Sequence, residues 1–250
     1  MKPIILRFDS LPSTNTEAAR AAASGAPEGL CVVAREQTRG RGRRERVWVS
    51  PMDAGLYVSL VLRPARLAPQ AWPLITLMAA LAVRDALTEA CALDADIKWP
   101  NDLVADGRKL CGILAETVET QAGRAVILGI GVNLDDRAFP PELKETAASI
   151  ASLTGNGTDA ETLLQSLLRA VARRYSALLA PGGADETVRE WSRHSSYAQG
   201  RPVRVALAEG TFDGLTRGLE PDGALRVETD QGEIRIVRAG DVTSLRGNDE

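Results

Sequence analysis

KWPNDLVADGRKLCGILAE, residues 98–116, is the stretch whose reading decides the fold. Apolar, β-branched segments run through and around it: ADIKWP leads into it, KLCGILAETVE leads out of it, and AVILGIGVNL follows at 125–134. Each reads as a strand. Between the first two, WPNDLVADGR carries Asn101, Asp102 and Asp106 at a bend, residue types whose side chains bond their own backbone in turns. Lys98 and Lys109 then stand on either side of that bend with a carboxylate near them. By strand alternation, Lys109 and Cys111 share a face.

Towards the amino terminus, IILRF at 4–8 reads as a strand, and Thr14 with Glu17 offers a capping box for the Ala-rich run that ends at Gly25. The loop between them, DSLPSTN, can cap that helix or bond a ligand. LCVVARE at 30–36 and GLYVSLVLR at 55–63 are further strands, separated by QTRGRGRRERVW and the turn SPMDAG. Residues 69–92 place Trp72, Leu74, Leu77, Met78 and Leu81 at helical spacing after an early proline, as in a long core helix.

Towards the carboxyl terminus, Thr158 with Glu161 suggests a second capping box before a helix running to Ala180, with Leu163, Leu164, Leu167, Leu168, Val171 and Tyr175 on its apolar face. PGG stops it. Beyond Trp191, short alternating strands separated by turns predict a small β-barrel from about residue 198. The expected architecture is therefore α+β: a mixed sheet flanked by helices over residues 1–197, and a barrel over 198–250.

Composition narrows the function. The 250 residues are 44% hydrophobic and 25% charged with net charge −3, enough apolar content for a sizeable core and the wrong balance for a general nucleic-acid binder. Positive charge is local: six arginines lie between Arg35 and Arg46 against two glutamates, which suits a small anion. Cys31, Cys91 and Cys111 show neither disulfide nor zinc spacing, and MKPIILRFDS is unlike a signal peptide. No apolar run approaches about 18 residues, so the expectation is a cytoplasmic protein with no membrane partner. His194, the single histidine, sits in the polar stretch WSRHSSYAQG and is not expected to be catalytic.

QTRGRGRRER is the most distinctive local feature. Glycines between arginines let backbone approach a ligand while guanidinium groups reach phosphates or a carboxylate. Neither GxxxxGK[ST] nor GxGxxG after a strand is present, so a nucleotide would need this loop instead. Lys98, Lys109 and Asp102 are open to two readings, a hairpin with solvated lysines or a site where a carboxylate attacks the α-phosphate of ATP. In the second, fixed cations and magnesium stabilise the charge that builds on phosphorus.

Taken in order, STN at 13–15, EQTRGRGRR at 36–44 with Trp48, KWPND at 98–102, GRKLCGILAE at 107–116 and GIGVNL at 129–134 resemble the successive motifs of biotin-protein ligases, of the type without an amino-terminal DNA-binding domain. GRPVRVAL through DVTSL, residues 200–245, resembles that family's SH3-like carboxy-terminal barrel, so the likeness spans the chain. The resemblance implies a class II synthetase-like catalytic domain that makes biotinyl-5'-AMP from biotin and ATP with Mg2+. Biotin then passes to a lysine of a biotin carboxyl carrier protein, of acetyl-CoA carboxylase or a related carboxylase.

On matching positions, Ser13, Thr14 and Asn15 would contact the ureido ring, with Gln37 nearby. Arg41, Gly42 and Arg43 would fold over biotin and its adenylate, and Gly112 would allow close backbone approach. Lys109 and Arg41 would be catalytic. Lys98, Asn101, Asp102 and Asn133 would face the nucleotide, with Asp102 at the magnesium. Two departures stand out: Glu45 replaces the later glycine of GRGRRGR, and Pro12 precedes STN where the family has aspartate. No operator DNA binding is expected, and a homodimer through an exposed sheet edge is compatible with the resemblance. The rivals are a lipoate ligase, an octanoyl transferase working through a thioester on Cys111, and a biotin sensor without catalysis.

Overall fold

A computed structural model describes residues 3–244. Among these, the first sheet holds β1 (Ile4–Leu11), β2 (Leu30–Gln37), β3 (Gly55–Leu62), β4 (Asp96–Lys98), β5 (Asp102–Ala105), β6 (Arg108–Thr120) and β7 (Gly123–Asn133) in the order β1-β2-β3-β7-β6-β5-β4. β1 and β2 pair in parallel and every other neighbour antiparallel, so the sheet is mixed as expected. Helix α1 (Thr14–Ala23) covers one face through Ala18 and Ala22, which pack with Val32, Val61 and Ile127.

The other face is covered by α2 (Leu74–Cys91) and α4 (Ala160–Leu178), with the short α3 (Ile150–Thr154) preceding α4. α2 is apolar nearly all round, as a helix buried between a sheet and a second helix must be, whereas α4 keeps a polar side. Asp85 and Glu89 of α2 pair with Arg173, Arg174 and Arg169 of α4, which fixes the two helices as antiparallel neighbours. All eight residues of β3 are buried because both of its faces are covered.

The second sheet comprises β8 (Gln199–Leu207), β9 (Gly210–Leu219), β10 (Leu225–Thr229), β11 (Ile234–Val237) and β12 (Asp241–Ser244), all antiparallel, in the order β11-β10-β9-β8-β12. The expected barrel is not closed among the described residues: β11 and β12 lie at opposite ends of that order and do not pair. Leu245 of the predicted DVTSL strand lies outside the described residues. Val203, Val205, Leu225 and Val227 join the same apolar cluster as Leu81 and Leu167, so both sheets share one core.

Several local expectations need correction. Ser13, not Thr14, is the N-cap of α1, and its side chain makes no capping bond; the Thr14 hydroxyl does not cap either, donating to Gln37 instead. Asp159, not Thr158, caps α4, accepting from the amides of Glu161 and Thr162; a carboxylate is the stronger acceptor for orphan helix N–H groups. The bend between Lys98 and Lys109 is a meander containing β5, with Asp106 and Gly107 at positive φ in the tight β5–β6 turn.

Lys109 and Cys111 do not share a face. β6 bulges against β5, so that Leu103 opposes Cys111 and Val104 opposes Lys109, leaving Leu110 extra. An added residue reverses the alternation, sending Cys111 into the core while Lys109 joins the side of Gly112. Helix α5 (Gly183–Arg193), passed over in the sequence as the aftermath of PGG, presents Trp191 to the core and packs on α2 and β9. Replacing Trp191 by alanine should lower unfolding stability in urea by about 3–5 kcal/mol, the usual range for emptying a buried aromatic site. An unchanged midpoint would show that α5 does not anchor the second sheet.

Candidate active site

β6 and β7 form the floor of one cleft. Gly112 pairs with Gly131, and Leu114 with Gly129, so three of these four adjoining positions present only backbone. Into that space come two side chains. The Trp48 indole lies so close that a methyl at Gly131 would stand 2.5 Å from its Nε1, and one at Gly112 would stand 3.0 Å from Cζ3. Asn15 occupies the space over Gly129. None of the three glycines can carry a side chain without moving what rests on it.

At one end of the floor is a closed polar network. Ser13, Thr14 and Asn15 are buried, and the Gln37 carbonyl accepts from the backbone amide and hydroxyl of Thr14 at 2.9 and 3.0 Å. The Gln37 amide donates to Ser50 Oγ at 2.9 Å. Asn15 donates to Glu116 at 2.8 Å and to the Leu114 carbonyl at 3.3 Å. Ser59 Oγ lies 2.6 Å from Asn15 Oδ1 and 2.8 Å from Thr14 Oγ1, with one proton to give. This end offers fixed donors and acceptors on rigid elements, suited to a neutral ligand with N–H and C=O groups.

The other end is cationic. Lys109 Nζ sits 2.7 Å from Asp102 Oδ1 and 5.4 Å from the centre of the Trp48 ring. Asp102 Oδ1 is itself buried, and the Lys109 ammonium is the charge that faces it. Hydrogen bonds between Lys109 backbone and the segment Thr146–Ala148, 2.8 and 2.9 Å, fix the strand end that carries it. Burial lowers the pKa values of Lys98 and Arg43 from their ordinary ranges. Arg43 donates to Asn101 Oδ1 at 3.2 Å, and Asn101 donates to the Ile113 carbonyl at 2.8 Å.

The Arg/Gly loop has a defined backbone path. It folds back as a tight hairpin: Trp48 N donates to Gly40 O at 3.0 Å and Gly42 N to Arg46 O at 2.7 Å, while Arg41 pairs with Val47. Arg41 reaches Glu116, so that carboxylate joins the loop to Asn15.

Every predicted site residue except Asn133 lines this cleft. Asn133 shares the floor face of β7, but its amide donates to the Lys109 and Ala148 carbonyls at 3.2 and 2.9 Å, beneath the 146–148 segment. Sequence reading missed Ser59, Glu116 and Asp241 as contributors. Ser59 left one signal, being the only serine or threonine in the apolar run GLYVSLVL; the other two resemble ordinary surface carboxylates until the strands are placed. Trp48 was noticed only as part of a motif, not as the cover of the floor.

A mixed sheet carrying a polar pocket at one end of a cleft and a cationic cradle at the other defines a ligase-type enzyme that can join a neutral-headed acid to a nucleotide. The model of the biotin/lipoate A/B protein ligase family matches residues 7–133, and that of the biotin protein ligase C terminal domain matches residues 199–243. The chain belongs to that ligase family. It is 38% identical over 240 residues to the bifunctional ligase/repressor BirA of Bacillus subtilis, covering 94% of this chain and 72% of that protein. It is 37% identical over 238 residues to the biotin--[acetyl-CoA-carboxylase] ligase of Paracoccus denitrificans, covering 92% and 96%. The Aquifex aeolicus biotin protein ligase, solved in complex with biotin and ATP, superposes with a TM-score of 0.84 at 28% identity, covering 98% and 100% of the two chains.

The cysteines are placed for packing. Cys31 and Cys111 are fully buried and Cys91 is partly exposed; burial pushes the Cys31 thiol up to about 12 and the Cys111 thiol up as well. Under native conditions a thiol reagent at pH 8 should therefore label Cys91 alone, and all three after denaturation. Rapid native labelling of Cys111 would contradict its place in the core.

Proposed function

We propose that the chain activates biotin with ATP and transfers it to a lysine of a biotin carboxyl carrier protein, of acetyl-CoA carboxylase or a related carboxylase. One observation carries this reading: the buried Ser13, Thr14, Asn15 and Gln37 network and the Lys109–Asp102 pair lie in one cleft with a side-chain-free floor between them. A ureido ring has two N–H groups and one carbonyl, which the polar end can satisfy; a carboxylate and phosphates seek the cations at the other end. The valeryl chain would run over Gly112, Gly131 and the Trp48 indole.

In the first step the biotin carboxylate attacks the α-phosphorus of ATP, and pyrophosphate leaves. Lys109 is placed to hold the reacting carboxylate and α-phosphate, and Arg41, Gly42 and Arg43 to cover the adenylate and exclude water. Lys98 and Asn101 take the nucleotide side. Asn133 supports it indirectly, by holding the Lys109 and Ala148 carbonyls in place. In the second step the carrier lysine attacks the acyl carbon and AMP leaves.

Among the described residues no group of three potential ligands forms a metal cage. Mg2+ needs none, since it commonly binds through one or two carboxylates together with nucleotide phosphates. Asp102 fits that role as a largely buried carboxylate at the cationic end of the cleft, where Lys109 Nζ lies 2.7 Å from its Oδ1. The ion would supply neutralising charge to the phosphates.

In this reading residues 1–197 are the catalytic domain and residues 198–250 a second domain of SH3-like kind. The protein works in the cytoplasm without binding DNA. No helix of the described residues is long and apolar enough to cross a membrane. β1 is an edge strand exposing Ile4 and Leu6, and a homodimer through that edge belongs to the same proposal.

The test is ATP-dependent transfer of labelled biotin to a purified carrier domain, with lipoate and octanoate in parallel. Biotin alone should be transferred. Lipoate transfer would keep the fold and overturn the substrate, and no transfer of any would favour a sensor. Lys109→Ala should reduce pyrophosphate release by at least about 100-fold, the scale of losing one preorganised charge stabiliser; a variant keeping most of its rate would remove Lys109 from the chemistry. Cys111→Ala should transfer biotin at close to the parent rate, whereas complete loss would revive a thioester route.

A further inference from the structure

The loop that covers the cleft is strained at its tip. Arg44 and Glu45 adopt φ of 52° and 60°, two successive left-handed residues that are not glycine. Such a turn persists only where its surroundings hold it. What holds it comes from the second sheet. Arg44 and Arg46, on either side of Glu45, both reach Oδ2 of Asp241, the first at 3.3 Å. Arg43 donates to the neighbouring Gly240 carbonyl at 3.4 Å.

Asp241 is well placed for this. It opens β12, where pairing with Ala206 of β8 fixes its backbone, and it lines the cleft itself. Across the loop, Arg41 is tied to Glu116 of β6. The hairpin is therefore suspended between a carboxylate of the first sheet and one of the second. Without Asp241, Arg43, Arg44, Arg46 and Lys98 would face one another with Asp102, already paired to Lys109, as the remaining acid on that side.

We propose that Asp241 is a positioning residue by which the second sheet clamps the strained arginine hairpin over the cleft, and so sets how well the reactive intermediate is retained. The clamp follows from geometry alone; its catalytic consequence rests on the ligase reading above. The pairs are partly exposed, so the effect is on local opening of the loop rather than on global stability.

The experiment is limited trypsin digestion of the full chain, following only cuts within residues 39–46 by mass spectrometry. When cleavage is slow, its rate reports the open population of the loop. Asp241→Asn should raise that rate about five- to tenfold, Asp241→Glu should stay near the parent, and Asp213→Asn, which breaks the Arg204 pair elsewhere on the same sheet, should leave it unchanged. In the unsubstituted protein, 1 M salt should raise loop cleavage relative to a short peptide standard by screening the clamp, which keeps the test alive if a variant misfolds. Equal loop cleavage in Asp241→Asn and the parent, or a salt-insensitive parent, would overturn the clamp.

The parallel readout is pyrophosphate released per biotin transferred with carrier limiting. This ratio should rise several-fold in Asp241→Asn as adenylate escapes to water, with the KM for biotin little changed. A looser loop with an unchanged ratio would overturn the retention role. If the parent releases no pyrophosphate from biotin and ATP, the ligase reading falls while digestion still decides the clamp.

Discussion

The register of β6 on β7 is the constraint on which the rest of the site depends. Pairing Gly112 with Gly131 and Leu114 with Gly129 leaves a shallow trench in an otherwise filled sheet. A slip of β6 by one residue would turn Cys111 and Ile113 out of the core and into the trench. The large apolar cluster under α2 and α4 therefore enforces the same register that opens the cleft. The Leu110 bulge then turns Lys109 onto the trench side, where Asp102 and Trp48 meet it.

Charge is arranged as carefully as volume. The chain is net negative, yet Arg41, Arg43, Arg46, Lys98 and Lys109 line one cleft, with Arg44 beside it on Asp241. Three carboxylates from three places in the sequence hold four of them, Lys109, Arg41, Arg44 and Arg46: Asp102 on β5, Glu116 on β6 and Asp241 on β12. This keeps long cationic side chains in defined positions before any anion arrives, which reduces the ordering that binding would otherwise require. It also keeps the cations from repelling each other out of the site.

The second sheet is part of this arrangement rather than an appendage. Trp99, beside Lys98, donates its indole N–H to the Gly223 carbonyl at 3.0 Å, and Gly223 in turn packs against Leu74 and Leu77 of α2. A shared apolar core beneath and a set of polar contacts above hold the sheets together. Asp241 can act on the loop because β12 is held at fixed distance by both.

Strands, core helices and the order of the motifs were legible in the sequence because each depends on local periodicity and residue chemistry: β-branched runs for β3, β6 and β7, a helical apolar pattern for α2 and α4, glycines and arginines in the covering loop. Those features, with the family resemblance, were enough to name twelve residues that the fold brings to one cleft, Ser13 and Lys109 among them. Tertiary structure alone decided the rest. Whether Cys111 or Gly112 shares a face with Lys109 turned on one extra residue in a strand pair, which alternation within a single strand cannot show. Thr14 left its capping role because Gln37 and Ser59, from other strands, offered a partner. Asn133 was drawn to the carbonyls of Lys109 and Ala148, and Asp241 to Arg44 and Arg46. A polar side chain bonds to whichever partner the fold delivers, and partners distant in sequence leave no periodic trace in either segment.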